Sequence, residues 1–161
     1  MEKQKVYIET SVISNLTARP ASNIADAARQ FSTHAWWNSN SCRYDLYSSP
    51  VVRREASKGD PNVAKKRIDA LTNIPELALD EQASALAARL IAGGAVPAGF
   101  PDDAMHIAIA AVNGMDYLLS WNFKHITNAQ RIPDIRKVCA VFGVRCPEIC
   151  TPQMLQEGES T

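Results

Sequence analysis

The chain has no excess of charge of either sign. Its 161 residues include 17 lysines and arginines against 17 aspartates and glutamates, and the isoelectric point is about 6.8. This balance excludes a global positive field for nucleic acid, so any site for a polyanion has to be a local patch. Apolar residues make up 46% and charged residues 21% of the chain, which excludes disorder along its whole length.

Closely spaced cysteine pairs are also missing. A chain of this length can bury a sizeable core and needs no disulfide framework. We expect the cysteines to be reduced thiols, because zinc ligands usually come as closely spaced pairs. The less favoured alternative is a metal site formed by Cys139, Cys146 and Cys150.

Long hydrophobic runs are absent as well. The most apolar stretch, at 104–119, is interrupted by His106, Asn113, Gly114 and Asp116, so it cannot span a bilayer. The first residues are charged and lead directly into a short strand, unlike a signal peptide. We therefore expect a cytoplasmic protein with no membrane partner.

Short β-prone runs alternate with helical patterns along the chain. Strands are predicted at 6–8, 44–47, 77–79, 117–120 and near 144–149. Helices are predicted after a cap at Thr10 or Ser11, and then at 24–37, 50–57, 63–71, from Asp80 to Gly93, at 101–112 and at 135–142. This alternation is typical of an α/β fold whose mostly parallel sheet is covered on both faces. The length favours a single domain over 1–155, followed by a flexible polar tail over 156–161.

Functional sites in parallel sheets form beyond the carboxyl ends of the strands. Glu9 directly follows the first predicted strand, and Asn122 follows the strand at 117–120. Each residue has a purely structural alternative. Glu9 would be an ordinary acid at the edge of the sheet, and Asn122 would be a turn-forming side chain.

Glu55 lies on the inward face of a short predicted helix. It comes four residues after Val51 and three after Val52, so it shares their apolar face. A carboxylate on a buried face is costly unless it is paired or binds a metal ion. The alternative to a functional role is a salt bridge with Arg53 or Arg54.

Asp103 and His106 share one face of the buried helix at 101–112. Asp103 lies in the first turn, where the helix dipole stabilises acids, and this is the plain alternative for it. His106 lies one turn further along the helix. It is either a satisfied core histidine or a side chain that orients a ligand carboxylate.

The predicted fold brings Glu9, Glu55, Asp103 and Asn122 to one end of the sheet. Oxygen ligands of this kind suit Mg²⁺ or Mn²⁺ better than zinc. Without a metal ion, the carboxylates would repel one another and raise one another's pKa values. With a metal ion, a phosphoryl oxygen is polarised and bound water becomes more acidic, which suits the hydrolysis of phosphodiesters.

Four stretches of the sequence resemble the successive motifs of PIN domains, and most closely those of the VapC-type toxins of bacterial toxin–antitoxin pairs. They are VYIETSVIS at 6–14, SPVVRRE at 49–55, DAMHIA at 103–108 and YLLSWNFKHI at 117–126. The resemblance extends over about 6–149. It implies a three-layer α/β/α sandwich and an endoribonuclease that depends on Mg²⁺ or Mn²⁺. It also implies a homodimer and a small cognate antitoxin.

The same resemblance implies that Glu9, Glu55 and Asp103 bind the metal ion and that Asn122 occupies the fourth catalytic position. Family members usually have Asp at the first position and often at the fourth, so two positions depart from the pattern. Three carboxylates still compensate one divalent ion, which favours a single tightly held ion. The alternative is a catalytically weak or inactive binding module on the same scaffold.

Neighbouring polar side chains receive supporting roles in this interpretation. Thr10 or Ser11 would hold a metal-bound water or a ligand through its hydroxyl group, and His106 would orient a ligand carboxylate.

Contact with RNA would depend on local basic side chains, of which Arg53, Arg54 and Lys124 lie beside the candidate site. The alternative for each is a solvated helix face. Phe31, Trp36 and Trp37 could stack on bases, but their helical spacing favours a place in the core or in a dimer interface.

Overall fold

A parallel sheet of four strands lies at the centre of the computed structural model, which describes residues 2–156. The strands are β1 (Lys5–Ile8), β2 (Asp45–Tyr47), β3 (Tyr117–Leu119) and β4 (Glu148–Cys150). Their order across the sheet is β2-β1-β3-β4, and every neighbouring pair runs parallel. The predicted tail at 156–161 lies outside the described residues apart from Gln156.

Helices supply the long crossover connections that parallel strands need. They are α1 (Thr10–Thr17), α2 (Ile24–Ser39), α3 (Pro50–Ala56), α4 (Pro61–Leu71), α5 (Glu81–Ala92), α6 (Pro101–Val112) and α7 (Ile132–Phe142), with a short 3₁₀ turn at Ser41–Arg43. α1 packs against α2, α3 and α4, whereas α5 packs against α6 and α7. The predicted three-layer α/β/α fold with a parallel sheet is confirmed.

The core lies on both sides of β1. Val6, Tyr7 and Ile8 are all inaccessible to solvent, as is typical of a central strand in a parallel sheet. α6 is buried nearly all round, with Ile107 and Ile109 fully inside, which confirms the prediction from its apolar sequence. Within residues 2–156, no helix combines the length and the hydropathy that crossing a bilayer requires.

The strand predicted at 77–79 does not form. The chain makes one isolated parallel bridge there, between Ser48 and Glu76, in which the Leu77 N–H donates to the Ser48 carbonyl at 2.8 Å. β2 is only three residues long, and Pro75 has no N–H with which to extend a ladder. The segment therefore passes the edge of the sheet without joining it.

Two helices start at residues other than those predicted. α1 is capped by Glu9, one position before Thr10, because the carboxylate accepts a hydrogen bond from the Ser11 N–H. α4 begins at Pro61 instead of at residue 63, because Asp60 caps it and proline suits the first helical position.

The last helix and strand are also displaced from their predicted bounds. α7 begins at Ile132, since Pro133 is accommodated in its first turn. The helix ends at Gly143, whose positive φ closes the turn, and the Val144 N–H still donates to the Cys139 carbonyl. Residue 144 therefore belongs to the helix end, and β4 is limited to 148–150.

Asp116 joins the amino ends of three strands. One carboxylate oxygen accepts from the Lys5 N–H at 2.8 Å and the other from Arg145 at 2.9 Å. Its own N–H donates to the Lys5 carbonyl, and its carbonyl accepts from the Glu148 N–H. The hydrogen bond from Lys5, helped by Arg145, holds the pKa of Asp116 below its usual value.

The substitution Asp116→Asn is expected to lower the free energy of unfolding by about 1 kcal/mol near neutral pH, because the amide keeps an acceptor but loses the charge. Since the folded-state pKa is lowered, this stabilisation is present above the unfolded-state value of 3.8 and is lost as the pH falls through the folded value. Urea unfolding at about pH 7 and at about pH 3 measures the difference. Asp134→Asn, which removes an exposed contact with Lys137, is the control and is expected to change little. An equal loss in both variants would contradict the prediction.

Candidate metal centre

The register of the sheet places Glu9 beside Ser120. Ile8 pairs with Leu119, so the residues that follow them leave the sheet at the same edge. The Glu9 N–H donates to the Leu119 carbonyl at 3.1 Å, and the Ser120 hydroxyl donates to Glu9 Oε1 at 2.5 Å. The prediction that the ends of separate strands meet at this edge is thus realised between β1 and β3.

Glu9 is buried and held by further hydrogen bonds from the start of α1. Its Oε2 accepts from the Ser11 N–H at 2.8 Å, and its Oε1 accepts from the Ser11 hydroxyl at 2.6 Å. The Ser11 oxygen in turn accepts from the Trp121 N–H at 2.8 Å. These contacts fix the carboxylate at the carboxyl edge of the sheet.

Glu55 does not pair with either neighbouring arginine. Arg53 binds Glu76 at 3.0 Å, and Arg54 binds Asp102 at 2.5 Å. Glu55 shares the inward face of α3 with the buried Val51 and Val52, as its spacing predicted. Its partners therefore come from other elements of the fold.

The partners of Glu55 are Thr10 and His106. Its Oε1 accepts from the Thr10 hydroxyl at 2.7 Å and lies 2.5 Å from His106 Nε2. His106 Nδ1 lies 2.7 Å from the Tyr7 hydroxyl, which lies 2.8 Å from the Ser49 hydroxyl. The result is a continuous chain of hydrogen bonds from the start of α3, through β1 and α6, back to Glu55 on α3.

The protons in this chain follow from the charge on Glu55. An ionised Glu55 accepts from His106 Nε2–H, which leaves Nδ1 to complete the contact with Tyr7. Nδ1 accepts from the Tyr7 hydroxyl when His106 is neutral, and donates to the Tyr7 oxygen when His106 is protonated. Both forms of the imidazole are satisfied by the same geometry.

The pKa values of Glu55 and His106 shift in the directions that favour an ion pair. Burial alone lowers the pKa of His106, but its hydrogen bond to Glu55 and the charges of Glu9, Glu55 and Asp103 outweigh burial, and the pKa is raised. Burial alone raises the pKa of Glu55, but its contacts with His106 and Thr10 outweigh burial, and the pKa is lowered. Burial also raises the pKa of the adjoining Tyr7, which therefore stays a neutral phenol.

The ligand atoms of Glu9, Glu55 and His106 lie close enough together to share a metal ion, and His106 would join the two carboxylates as a ligand only by giving up its Nε2 hydrogen bond to Glu55. Each offers one ligand atom, and these atoms lie within 4.8 Å of one another. Carboxylate oxygens suit Mg²⁺ and Mn²⁺, whereas imidazole nitrogen suits the softer transition metals. The carboxylates of Glu9 and Glu55 supply the charge that a divalent cation requires, so this donor set fits such an ion.

Asp103 lies beside this group and is engaged elsewhere. Its Oδ2 is 2.8 Å from His125 Nδ1. It is not one of the residues whose ligand atoms converge within residues 2–156, although its charge raises the pKa of His106. A ligand role for Asp103 stays a prediction.

Asn122 forms the turn after β3. Its side-chain oxygen accepts from the His125 N–H at 3.0 Å, and its own N–H donates to the Ser120 hydroxyl. This is the turn-forming geometry that the sequence offered as an alternative, and a catalytic part for Asn122 stays a prediction. Lys124 in the same turn is exposed, and its contact with RNA also stays a prediction.

Four side chains were not predicted to belong to the site: Tyr7, Ser49, Ser120 and His125. Tyr7 carries the only polar tip among the three buried residues of β1, and a buried tyrosine hydroxyl needs a partner, which is a signal that the sequence did contain. Ser120 directly follows β3, just as Glu9 follows β1. His125 carries no such signal, because its contact with Asp103 depends on how the turn folds.

Neither the protein-family models nor the curated proteins compared with this chain match it. Its function is accordingly inferred from the side chains of the site and from the four sequence stretches described above.

Proposed function

We propose that the chain is a divalent-cation-dependent endoribonuclease of the PIN-domain type and the toxin of a toxin–antitoxin pair. The observation that carries the proposal is the meeting of Glu9, Glu55 and His106 at the carboxyl edge of a parallel sheet, with ligand atoms within 4.8 Å of one another. The four sequence stretches that resemble the motifs of that family support the same class. The proposed ion is Mg²⁺ or Mn²⁺ and the proposed substrate is RNA.

The acids hold the ion in this proposal. Glu9 and Glu55 bind it through carboxylate oxygens, and Asp103 is the third acid, since it lies one helical turn before His106 on the same face of α6. When bound, the cation polarises a phosphoryl oxygen and lowers the pKa of water, which is the chemistry that phosphodiester hydrolysis needs. Asn122 adds no charge at the fourth position, which favours one ion over two.

The neighbouring side chains orient the carboxylates. Thr10 donates to Glu55, and Ser11 donates to Glu9 through both its N–H and its hydroxyl. His106 holds Glu55 from the buried side, because its other nitrogen is anchored on Tyr7. Partners of this kind commonly fix ligand orientation in metal sites.

Exposed side chains support the proposed partners. Arg54 and Lys124 lie near the acids with much of their surface in water, where they can meet phosphate groups. On α2, Ile24, Ala28 and Phe31 form an exposed apolar stripe at helical spacing, which suits a second copy of the chain or a small antitoxin. A cytoplasmic location belongs to the same proposal.

A catalytically weak or inactive binding module on the same scaffold is the second candidate. It is favoured by the hydrogen bonds that already engage the acids, since Glu9 accepts from Ser11 and Ser120 while Asp103 pairs with His125. A cation has to compete with these contacts. Calorimetry with Mn²⁺ separates the two candidates. We expect a nuclease to bind the ion, whereas no binding at millimolar Mn²⁺ would favour the binding module.

RNA cleavage by the wild type is expected to require Mn²⁺ or Mg²⁺ and to fall by about a hundredfold in Asp103→Asn, because that variant loses a charge beside the ion. Initial rates on a single-stranded RNA, with the cation and with excess chelator, measure both effects. Asp102→Asn is the matched control, since Asp102 lies in the same helical turn but pairs with Arg54. Equal cleavage by the wild type and Asp103→Asn, or cleavage that persists in chelator, would remove the proposal.

A further inference from the structure

Two phenylalanines next to the acidic cluster are exposed to solvent. Phe100 is the residue immediately before α6, three positions from Asp103, and 48% of its surface is accessible. Phe123 lies in the turn after β3 and is 45% accessible. Both rings therefore lie on the two segments that also carry Asp103 and Asn122.

The Phe100 ring is paired with a histidine that is itself held in place. The ring centroids of Phe100 and His125 are 4.0 Å apart, with the planes inclined by 42°. His125 Nδ1 bonds to Asp103, and the His125 N–H bonds to the Asn122 side chain. The same acid that adjoins the metal centre thus fixes the orientation of this aromatic pair.

Phe123 is also fixed without being buried. Its ring makes a T-shaped contact with Trp121, with the centroids 5.9 Å apart, and the Arg29 guanidinium lies 5.4 Å from its centroid. Trp121 in turn donates its indole N–H to the Thr33 hydroxyl at 2.8 Å. Two rigid aromatic surfaces and a neighbouring cation accordingly face the solvent beside the acids.

Three positively charged side chains lie near one ring or the other in space or in the chain, and Arg29 among them also pairs with Asp26. Arg29 lies over Phe123, Lys124 follows it in the chain, and Arg54 pairs with Asp102, two residues after Phe100. Aromatic rings combined with cations are the surface on which proteins bind single-stranded nucleic acid, since rings stack on bases and cations meet phosphates.

We propose that Phe100, held in place by His125, and Phe123 form a stacking site for the unpaired bases of a single-stranded RNA beside the acids. The proposal rests on the proposed ribonuclease function and names the substrate class of that same site. Bases in a duplex are already stacked on one another and cannot enter such a site, whereas bases in a loop or single strand can. The alternative is that the two rings bind a protein partner through apolar contacts. Measurements of RNA binding distinguish this alternative from base stacking.

The test measures binding of the full chain to fluorescently labelled oligomers in chelator, so that no cleavage occurs. The probes are a short single-stranded RNA, the same sequence as a duplex, and an abasic ribose-phosphate oligomer of equal length. Phe100→Leu, which stays apolar but loses the ring, is expected to weaken binding of the single strand by about tenfold and to leave the abasic oligomer unaffected. Phe100→Tyr keeps the ring and is expected to bind like the wild type.

The control is Val141→Ala, a change at an exposed apolar residue on α7, which is expected to bind every oligomer like the wild type. The proposal is overturned if Phe100→Leu binds the single-stranded RNA as tightly as the wild type does, or if the substitution weakens binding of the abasic oligomer by the same factor. It is also overturned if the wild type binds neither the single-stranded RNA nor the abasic oligomer. Because no metal ion is present, this outcome is separate from the cleavage assay. Single-strand binding that does not depend on the Phe100 ring, together with Mn²⁺-dependent cleavage, overturns this inference alone. Ring-dependent binding without cleavage overturns the ribonuclease function alone.

Discussion

Replacing Glu55 with glutamine is expected to lower Mn²⁺-dependent RNA cleavage by roughly a thousandfold, because several kcal/mol of transition-state stabilisation depend on the bound cation. Glutamine has the shape of glutamate and can still accept from the Thr10 hydroxyl. It lacks the negative charge, so the group formed with Glu9 and His106 keeps one carboxylate instead of two. The affinity for Mn²⁺ is expected to fall in parallel with the rate.

Initial cleavage rates and calorimetry with Mn²⁺ measure the two effects of Glu55→Gln. Glu76→Gln is the matched control, since Glu76 makes an ion pair with Arg53 outside the cluster and its loss should leave both quantities nearly unchanged. Circular dichroism establishes that each variant is folded. If the folded Glu55→Gln variant cleaved RNA at the wild-type rate, the Glu55 carboxylate would not be needed for the reaction.

Replacing His106 with leucine is expected to lower the free energy of unfolding of the metal-free protein by about 3 kcal/mol. His106 is completely buried and bridges Tyr7 and Glu55 with its two nitrogens. Leucine fills similar space but leaves the Tyr7 hydroxyl without this partner and Glu55 without its buried donor. Urea unfolding measures the loss. His34→Leu, at an exposed position on α2, is expected to change stability by less than about 0.5 kcal/mol.

The contribution of the Glu55 and His106 pair to stability is expected to depend on pH in a defined direction. The folded-state pKa of His106 is raised, so its stabilisation is complete below the unfolded-state value near 6.5 and is lost as the pH rises through the folded value. The folded-state pKa of Glu55 is lowered, so its stabilisation is present above about 4.5 and is lost as the pH falls through the folded value. The stability difference between the wild type and His106→Leu should therefore be largest between these values and decline toward alkaline pH. A difference that grows from about pH 6 to about pH 9 would contradict this sign.

Local rules account for much of the fold. The helix predicted from Asp80 forms as α5, with the Asp80 side chain as its cap. The spacing from Val51 and Val52 correctly predicted that Glu55 lies on the inward face of α3. These outcomes depend on neighbours within about one helical turn, which a sequence displays directly. The prediction of a strand at 77–79 was wrong, because a strand requires a partner strand elsewhere in the chain. This part of the chain makes only one isolated bridge, between Ser48 and Glu76.

The partners of the candidate site come from distant positions in the chain. The spacing of Glu55 predicted a buried carboxylate but not that its partner would be His106, 51 residues away. His106 is a fully buried histidine whose ring bonds to the Glu55 carboxylate, and that this carboxylate binds a metal ion stays a prediction. The spacing of Asp103 likewise predicted that it shares a face of α6 with His106. Its contact with His125, 22 residues away, could not be read from the sequence.

The sequence by itself determined that this is an α/β chain with a parallel sheet and that acids follow its strands and lie on its buried helix faces, because periodicity and capping are properties of neighbouring residues. Only the tertiary structure decided which polar groups share a hydrogen bond. The register of β1 against β3 and the packing of α3 against α6 set those distances, and both depend on contacts between residues far apart in the chain. For that reason Glu9 lies with Glu55 and His106, while Asp103 lies against His125.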